Sequence, residues 1–96
     1  MTRPTRYKFR LYVAGDALNS AKARARLMAL CQVHLPDRHD IEFVDVLTHP
    51  ERALADSVFM TPMLVKLAPL PQRRIVGALS QTELVMQTLG LEVAVE

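Results

Sequence analysis

The chain has few of the residues that many kinds of functional site require. Its 96 residues include one cysteine, Cys31, which excludes an internal disulfide framework and a zinc site built from several cysteines. Among only three glycines, neither G-x-x-x-x-G-K-[ST] nor G-x-G-x-x-G occurs, so we expect no bound nucleotide. No apolar run approaches the roughly 18 residues of a transmembrane helix, and residues 1–10 lack a signal-peptide core. We therefore expect a cytoplasmic protein.

The overall composition is typical of one small globular domain, residues 1–96, in which half of the residues are hydrophobic and 23% are charged. Charge alternates in blocks. Residues 1–35 carry seven basic groups and one acid, residues 36–59 carry six acids and two arginines, and residues 60–80 are basic again. A protein that binds nucleic acid is usually more one-sidedly basic. Because complementary charges steer two proteins together, the pattern favours docking to another protein.

Hydrophobic periodicity predicts four strands and three helices. From Tyr7 to Ala14, apolar residues alternate with others, as in a strand that is buried on one face. In chain order, the predicted elements are a strand over 7–14, a helix over 20–35, a strand over 41–46, a short helix from Pro50 to about Asp56, a strand over 63–67, a strand over 73–79, and a helix that follows Ser80 and ends near Leu89.

Residues at the element ends support these boundaries. Gly15 breaks the first strand, Asn19 or Ser20 can cap the first helix, and Pro36 ends that helix.

The last helix has signals at both ends. Ser80 and Glu83 form a capping box at its start, and Gly90 can end it in a left-handed conformation. The tail over 91–96 is compatible with a helix, a strand or a frayed end.

This order of elements, βαβαββα, is that of a thioredoxin-like α/β fold with a mixed four-stranded sheet. The first helix provides the crossover that a parallel first strand pair needs, and the last two strands are close enough for an antiparallel hairpin. Thr61-Pro62 strengthens the match, because the thioredoxin fold places a proline, usually cis, just before its third strand.

The chemistry of a thioredoxin is nevertheless missing. A reductase needs a low-pKa thiolate at the start of the first helix, but residues 15–20 contain no thiol. We expect Cys31 to be a buried packing residue. His34, His39 and His49 lack metal-ligand spacing and are interpreted as a helix-end residue, a loop residue and a cap. We therefore expect no catalytic site, metal or cofactor.

Basic residues are the remaining candidates for a binding site. Lys22 and Arg26 lie one helical turn apart and can share a face of the first helix. That face is either solvated or a docking surface for a partner. Lys66, Arg73 and Arg74 flank the predicted hairpin turn and could converge there. Arginine is favoured at interfaces because its planar fork binds carboxylates. The alternative is that these charges protect an edge strand from pairing.

Several blocks of the sequence resemble the KaiB family over about residues 7–89. The blocks are Leu11-Tyr12-Val13-Ala14-Gly15 followed by Asn19-Ser20, Val44-Asp45-Val46-Leu47 with Pro50, Thr61-Pro62 with Leu64 and Lys66, and Pro71 with Arg73-Arg74-Ile75-Val76-Gly77 and Leu79-Ser80. The L-Y-V-A-G and R-R-I-[IV]-G blocks together are fairly specific.

The resemblance implies a non-enzymatic clock or clock-like protein that docks on KaiC, a hexameric ATPase. In the complete cyanobacterial system KaiB proteins then sequester KaiA, and the same domain type opens a sensory histidine kinase. KaiB proteins are metamorphic: a tetramer-forming ground fold with a rearranged C-terminal half alternates with a thioredoxin-like monomer that binds KaiC. The family's interface positions that match are Lys22, Lys66, Arg73 and Arg74, with Tyr7 as a further candidate.

Departures from the family pattern indicate a divergent member outside the complete clock. Glu42 stands where the family commonly has a basic residue, which argues against a KaiA-like second partner at that strand edge. Thr88 stands where glycine is common. Because glycine costs roughly 0.5–1 kcal/mol in a helix interior relative to alanine, Thr88 favours the C-terminal helix of the thioredoxin-like state.

Other functions stay open at this point. One is a redox-inactive thioredoxin-like adaptor for a different signalling partner. Another is nucleic-acid binding through the basic N-terminal third, which would be steeply salt-dependent. A monomer, a dimer and a tetramer are all compatible with the sequence.

Overall fold

All seven elements form in the predicted order in a computed structural model, which describes residues 5–91. They are β1 (Tyr7–Val13), α1 (Leu18–His34), β2 (His39–Asp45), α2 (Pro50–Ala55), β3 (Met63–Ala68), β4 (Arg73–Val76) and α3 (Thr82–Leu89). The predicted alternatives for the tail concern residues 92–96, which lie outside the described residues. None of the helices within residues 5–91 is long and apolar enough to cross a membrane.

The four strands form one mixed sheet in the order β2-β1-β3-β4. β1 pairs in parallel with β2, from Tyr7 opposite His39 to Val13 opposite Asp45. β3 runs antiparallel to both β1 and β4. The crossover through α1 and the β3–β4 hairpin are therefore confirmed, and so is the thioredoxin-like topology. The Thr61–Pro62 peptide bond is cis.

Helices cover both faces of the sheet. On one face, α1 and α3 pack against β1 and β3, with Leu11, Leu27, Leu64 and Leu89 fully buried. On the other face, α2 and the segment after it cover a smaller cluster around Tyr12. The expectation that β1 is buried on one face holds at the start of the strand, where Lys8 is exposed. It is wrong at Tyr12, which α2 and the segment after it cover.

The side chains proposed as caps of α1 do not cap it. The helix begins at Leu18 without a side-chain cap. Ser20 lies in the first turn, where its buried hydroxyl accepts a hydrogen bond from the Ala14 N–H at 3.0 Å, and Asn19 is exposed. Ser20 therefore fixes the turn between β1 and α1, where Gly15 has a positive φ of 51°.

The capping box predicted for α3 is also wrong. The helix begins at Thr82, Gln81 occupies the N-cap position, and no side chain caps it. Ser80 lies one residue too early, because a capping side chain acts from the residue just before the first helical one. Gly90 is confirmed as the left-handed residue that ends α3, with a φ of 76°.

β4 is shorter than predicted and ends at Val76. Gly77 follows with a φ of 114°, a conformation that glycine adopts readily and other residues do not. The chain leaves the sheet there, and Leu79 turns into the core between α1 and α3. A pattern of apolar residues cannot distinguish this course from a longer strand.

Replacing Ser20 by alanine tests the turn that joins β1 to α1. We expect Ser20→Ala to lower the free energy of unfolding by about 1–2 kcal/mol, because it leaves the Ala14 N–H without its partner. Asn19→Ala is the matched control and should change stability by less than about 0.5 kcal/mol. Urea unfolding followed by circular dichroism measures both, and equal losses would contradict the assignment.

Candidate functional site

The predicted partner-binding residues lie in three separate places. Tyr7, Lys66 and Arg73 come together where β1, β3 and β4 meet the end of α3. We call these three residues the Lys66 cluster. Arg74 lies on the opposite face of the sheet, and Lys22 is exposed on α1. The expected convergence of the three basic residues of the hairpin therefore holds for two of them, since Lys66 and Arg73 are cross-strand neighbours.

Lys66 is the unusual member of the Lys66 cluster, because only 4% of its surface is exposed. Its Nζ donates a hydrogen bond to the carbonyl oxygen of Leu89 at 3.1 Å and lies 6.0 Å from the centre of the Tyr7 ring. Burial lowers the pKa of the Lys66 ammonium group, and the charge of Arg73 lowers it further.

This geometry makes Lys66 a clamp on the end of α3. The last carbonyl groups of a helix have no partner within the helix, and the helix dipole favours a cation there. The Lys66 ammonium group provides a hydrogen-bond partner for the carbonyl oxygen of Leu89, the last residue of α3, and so links the end of this helix to β3. Arg73 is the charged member of the Lys66 cluster that is exposed.

A chain of ion pairs crosses the opposite face of the sheet, beside α2. We call it the α2-face network; its members are Arg10, Glu42, Arg52, Asp56 and Arg74. The Glu42 carboxylate accepts a hydrogen bond from Arg10 Nε at 2.7 Å. It also accepts one from each terminal nitrogen of Arg52, at 2.9 and 3.0 Å. The Asp56 carboxylate forms an ion pair with the Arg74 guanidinium group at 2.8 Å, and it lies 3.7 Å from the guanidinium group of Arg10.

The α2-face network displaces the pKa of its member Glu42 and of the neighbouring Tyr12. Hydrogen bonds from Arg52 and Arg10 lower the pKa of Glu42 to about 2. Tyr12 donates its hydroxyl to Asp56 at 2.7 Å, and burial together with that bond raises the pKa of Tyr12.

The alternation of β4 explains why Arg73 and Arg74 differ. Successive side chains of a strand point to opposite faces of the sheet. Arg73 therefore faces the α3 side, whereas Arg74 faces the α2 side. Arg74 binds the carboxylate and the carbonyl oxygen of Asp56, so much of its hydrogen-bonding capacity is already used within the chain.

The second predicted pair, on α1, is also divided by the structure. Lys22 and Arg26 are both exposed. The guanidinium group of Arg26 donates to the Ala78 carbonyl oxygen at 2.8 Å, so Arg26 links α1 to the segment between β4 and α3. The side chain of Lys22 makes no hydrogen bond or ion pair with another described residue.

Cys31 is fully buried, as predicted, and burial raises its thiol pKa to about 11. Within residues 5–91, no group of three or more potential ligands could hold a metal ion. His39 lies at the start of β2, not in a loop, and its Nδ1 is 2.7 Å from the Leu35 carbonyl oxygen. His49 occupies the N-cap position of α2 without capping it.

Sequence reasoning missed the α2-face network. Its members are far apart in the chain, and only the strand register brings them together. The parallel pairing places Arg10 opposite Glu42, 32 residues away. The one available signal was the unusual acidic residue at position 42, although nothing in the sequence identified Arg10 and Arg52 as its partners.

A family model for the KaiB domain matches residues 10–91. The chain is 40% identical over 91 residues to the circadian clock protein KaiB3 of Synechocystis sp., covering 95% of this chain and 87% of that protein. It is also 40% identical over 85 residues to the circadian clock oscillator protein KaiB of Synechococcus elongatus, covering 88% and 83%.

Solved structures agree on the fold. The N-terminal domain of SasA from Synechococcus elongatus has a TM-score of 0.69 at 17% identity, covering 100% of this chain and 94% of that one. Fasciola hepatica thioredoxin has a TM-score of 0.71 at 20% identity, covering 91% and 82%. Identities this low bear on the fold alone.

Acid titration tests the α2-face network through Glu42. The pKa of Glu42 in the folded chain, about 2, lies below the ordinary 4.5. The stability that the ionised Glu42 gives to the folded chain is therefore present above about pH 4.5 and is lost as the pH falls toward 2. We expect Glu42→Gln to be less stable than the wild type at pH 7, by roughly 0.5–1 kcal/mol for an exposed pair. Urea unfolding at pH 7 and pH 2 measures this. A difference that stays unchanged at pH 2 would contradict the prediction.

Hydrogen exchange tests the role of Lys66. We expect Lys66→Met to speed amide exchange in the last turn of α3 roughly fivefold, the equivalent of about 1 kcal/mol, because the variant leaves the Leu89 carbonyl group without its cation. Lys8→Met, an exposed lysine on β1, is the control and should leave α3 unchanged. Unaltered exchange in Lys66→Met would show that the clamp adds nothing.

Proposed function

Because this chain belongs to the KaiB family, we propose that it is a non-enzymatic regulatory protein that docks on a hexameric KaiC-like ATPase. Docking would modulate the phosphorylation or signalling cycle of that ATPase, in clock-like timing or in a stress response. The observation that carries the proposal is the thioredoxin-like arrangement of the C-terminal half, with α3 formed and held by Lys66. The resemblance associates this state with KaiC binding.

In this proposal Arg73 and Lys22 are the contact residues, since both are exposed. Lys66 and Tyr7 act indirectly, because they are buried and keep α3 in place. Arg74 contributes mainly through Asp56. Binding would select the thioredoxin-like state, so the apparent affinity would fall with the fraction of molecules in that state.

A KaiA-like protein or a histidine kinase is a weaker candidate for a partner. A second partner would add at the outer edge of β2, where the family commonly has a basic residue. Here Glu42 is acidic, and Arg10 and Arg52 already bind its carboxylate. The outer edge of β2 therefore presents to a partner a charge pattern that differs from the one common in the family.

A redox-inactive adaptor for another signalling protein is the second candidate function. The observation in its favour is a set of exposed apolar side chains in the segments that join the elements, among them Leu47, Phe59 and Met60. Exposed apolar surface often marks a site of protein contact. This function predicts a partner other than a KaiC-like ATPase.

Gel filtration with the KaiC-like ATPase of the same organism tests the proposed function. The two proteins are incubated with ATP for hours, because a dominant ground fold would make attachment slow. Co-elution of the chain with the hexamer is the expected result. A second run with the chain alone gives its oligomeric state. The absence of a complex after prolonged incubation would contradict the function and favour the adaptor.

A charge reversal at Arg73 tests the proposed contact surface. We expect Arg73→Glu to weaken binding to the ATPase by about tenfold or more, equivalent to about 1.4 kcal/mol. Its stability should stay near that of the wild type, because within the described residues the Arg73 side chain donates a hydrogen bond only to the neighbouring Gln72 carbonyl oxygen. Lys8→Glu is the control with the same charge change. Equal binding by both variants would remove Arg73 from the interface.

A further inference from the structure

β4 is an edge of the sheet whose outer side is unpaired within residues 5–91. It pairs with β3 alone, and the Gly77 N–H donates to the Pro62 carbonyl oxygen at 2.9 Å. Antiparallel ladders alternate residue by residue. The backbone groups of Arg73 and Ile75 therefore point to β3, and those of Arg74 and Val76 point outward. Such an edge can accept a further strand.

A groove of about 400 Å³ runs beside this edge, between β4 and α3. Its apolar lining includes Ile75, Leu79, Leu84 and Val85. One of these side chains, Leu84 of α3, is 55% exposed although it is apolar. A strand added to β4 would direct every second side chain toward α3, where it would cover Leu84 and Ile75.

Charge at one end of the edge defines the occupant further. In the described part of the chain, Arg73 has no carboxylate within ion-pair distance, whereas Arg74 is paired with Asp56. An incoming segment that carries a carboxylate beside Arg73 would complement it. A second copy of this chain would do the opposite, because antiparallel pairing of two β4 strands brings four arginines into one short ribbon.

We infer that the partner contributes an extended segment that adds to the outer edge of β4 as a fifth strand. Its apolar side chains alternate and fill the groove beside α3, and an Asp or Glu side chain lies against Arg73. Backbone hydrogen bonds to Arg74 and Val76 supply the affinity, and the groove supplies the selectivity, as in other cases of strand addition. The inference rests on the proposed function and specifies how the KaiC-like ATPase is bound.

Hydrogen exchange in the complex tests the inference on the unaltered chain. The complex with the KaiC-like ATPase is exchanged in heavy water and dissociated under quench conditions, and the released chain is read by nuclear magnetic resonance. We expect the amides of Arg74 and Val76 to exchange at least tenfold more slowly in the complex. The amides of Arg73 and Ile75 already face β3 and serve as internal controls.

A proline variant provides a second measurement. Val76→Pro removes an outward N–H group and leaves the β3 ladder intact, since edge strands tolerate proline on their open side. We expect Val76→Pro to bind the KaiC-like ATPase at least tenfold more weakly than the control Val76→Thr does. The circular dichroism spectra of the two variants should match, which shows that both are folded.

The outcomes separate this inference from the proposed function. A complex in which the Arg74 and Val76 amides exchange at their free rates would overturn the inference and leave the function standing. Equal binding by a folded Val76→Pro and by Val76→Thr would do the same. If no complex forms with the wild-type chain, both are contradicted.

Discussion

The alternation of side chains along the central strand β1 determines where every other feature lies. β1 pairs with β2 on one side and β3 on the other, and both of its faces are covered. Tyr7 points toward the end of α3 and belongs to the Lys66 cluster. Arg10 and Tyr12 point the other way: Arg10 belongs to the α2-face network, and Tyr12 donates a hydrogen bond to its member Asp56. One strand therefore carries part of both charged groups and part of both apolar cores.

The same rule divides the basic residues of the hairpin by role. Lys66 and Arg73 share a face, but Lys66 is buried against the last carbonyl group of α3 and Arg73 is exposed. Burying an ammonium group is costly unless it is hydrogen-bonded, so the interaction with Leu89 and the position of α3 depend on each other. Residues that look equivalent in the sequence thus serve different ends: one holds a helix, and the other is available to a partner.

This division connects the fold to the proposed function. α3 forms one wall of the groove beside β4, so the groove exists only when α3 is in place. Lys66, Thr88 and Gly90 all favour α3, through the clamp, through helix propensity and through a left-handed end. A partner that binds the groove would therefore recognise the conformation of the C-terminal half, and binding would stabilise that conformation.

The sequence by itself determined the order of elements, the thioredoxin-like topology, the burial of Cys31 and the helix end at Gly90. Each follows from local chemistry: apolar periodicity, the conformational range of glycine and proline, and the short reach of a turn. The tertiary structure alone decided which charges meet. Whether Lys66 is exposed depends on the end of α3 at Leu89, 23 residues away, and the pairing of Glu42 with Arg10 depends on strand register. Contacts between distant residues leave no periodicity in the sequence, because the packing of the whole chain sets them.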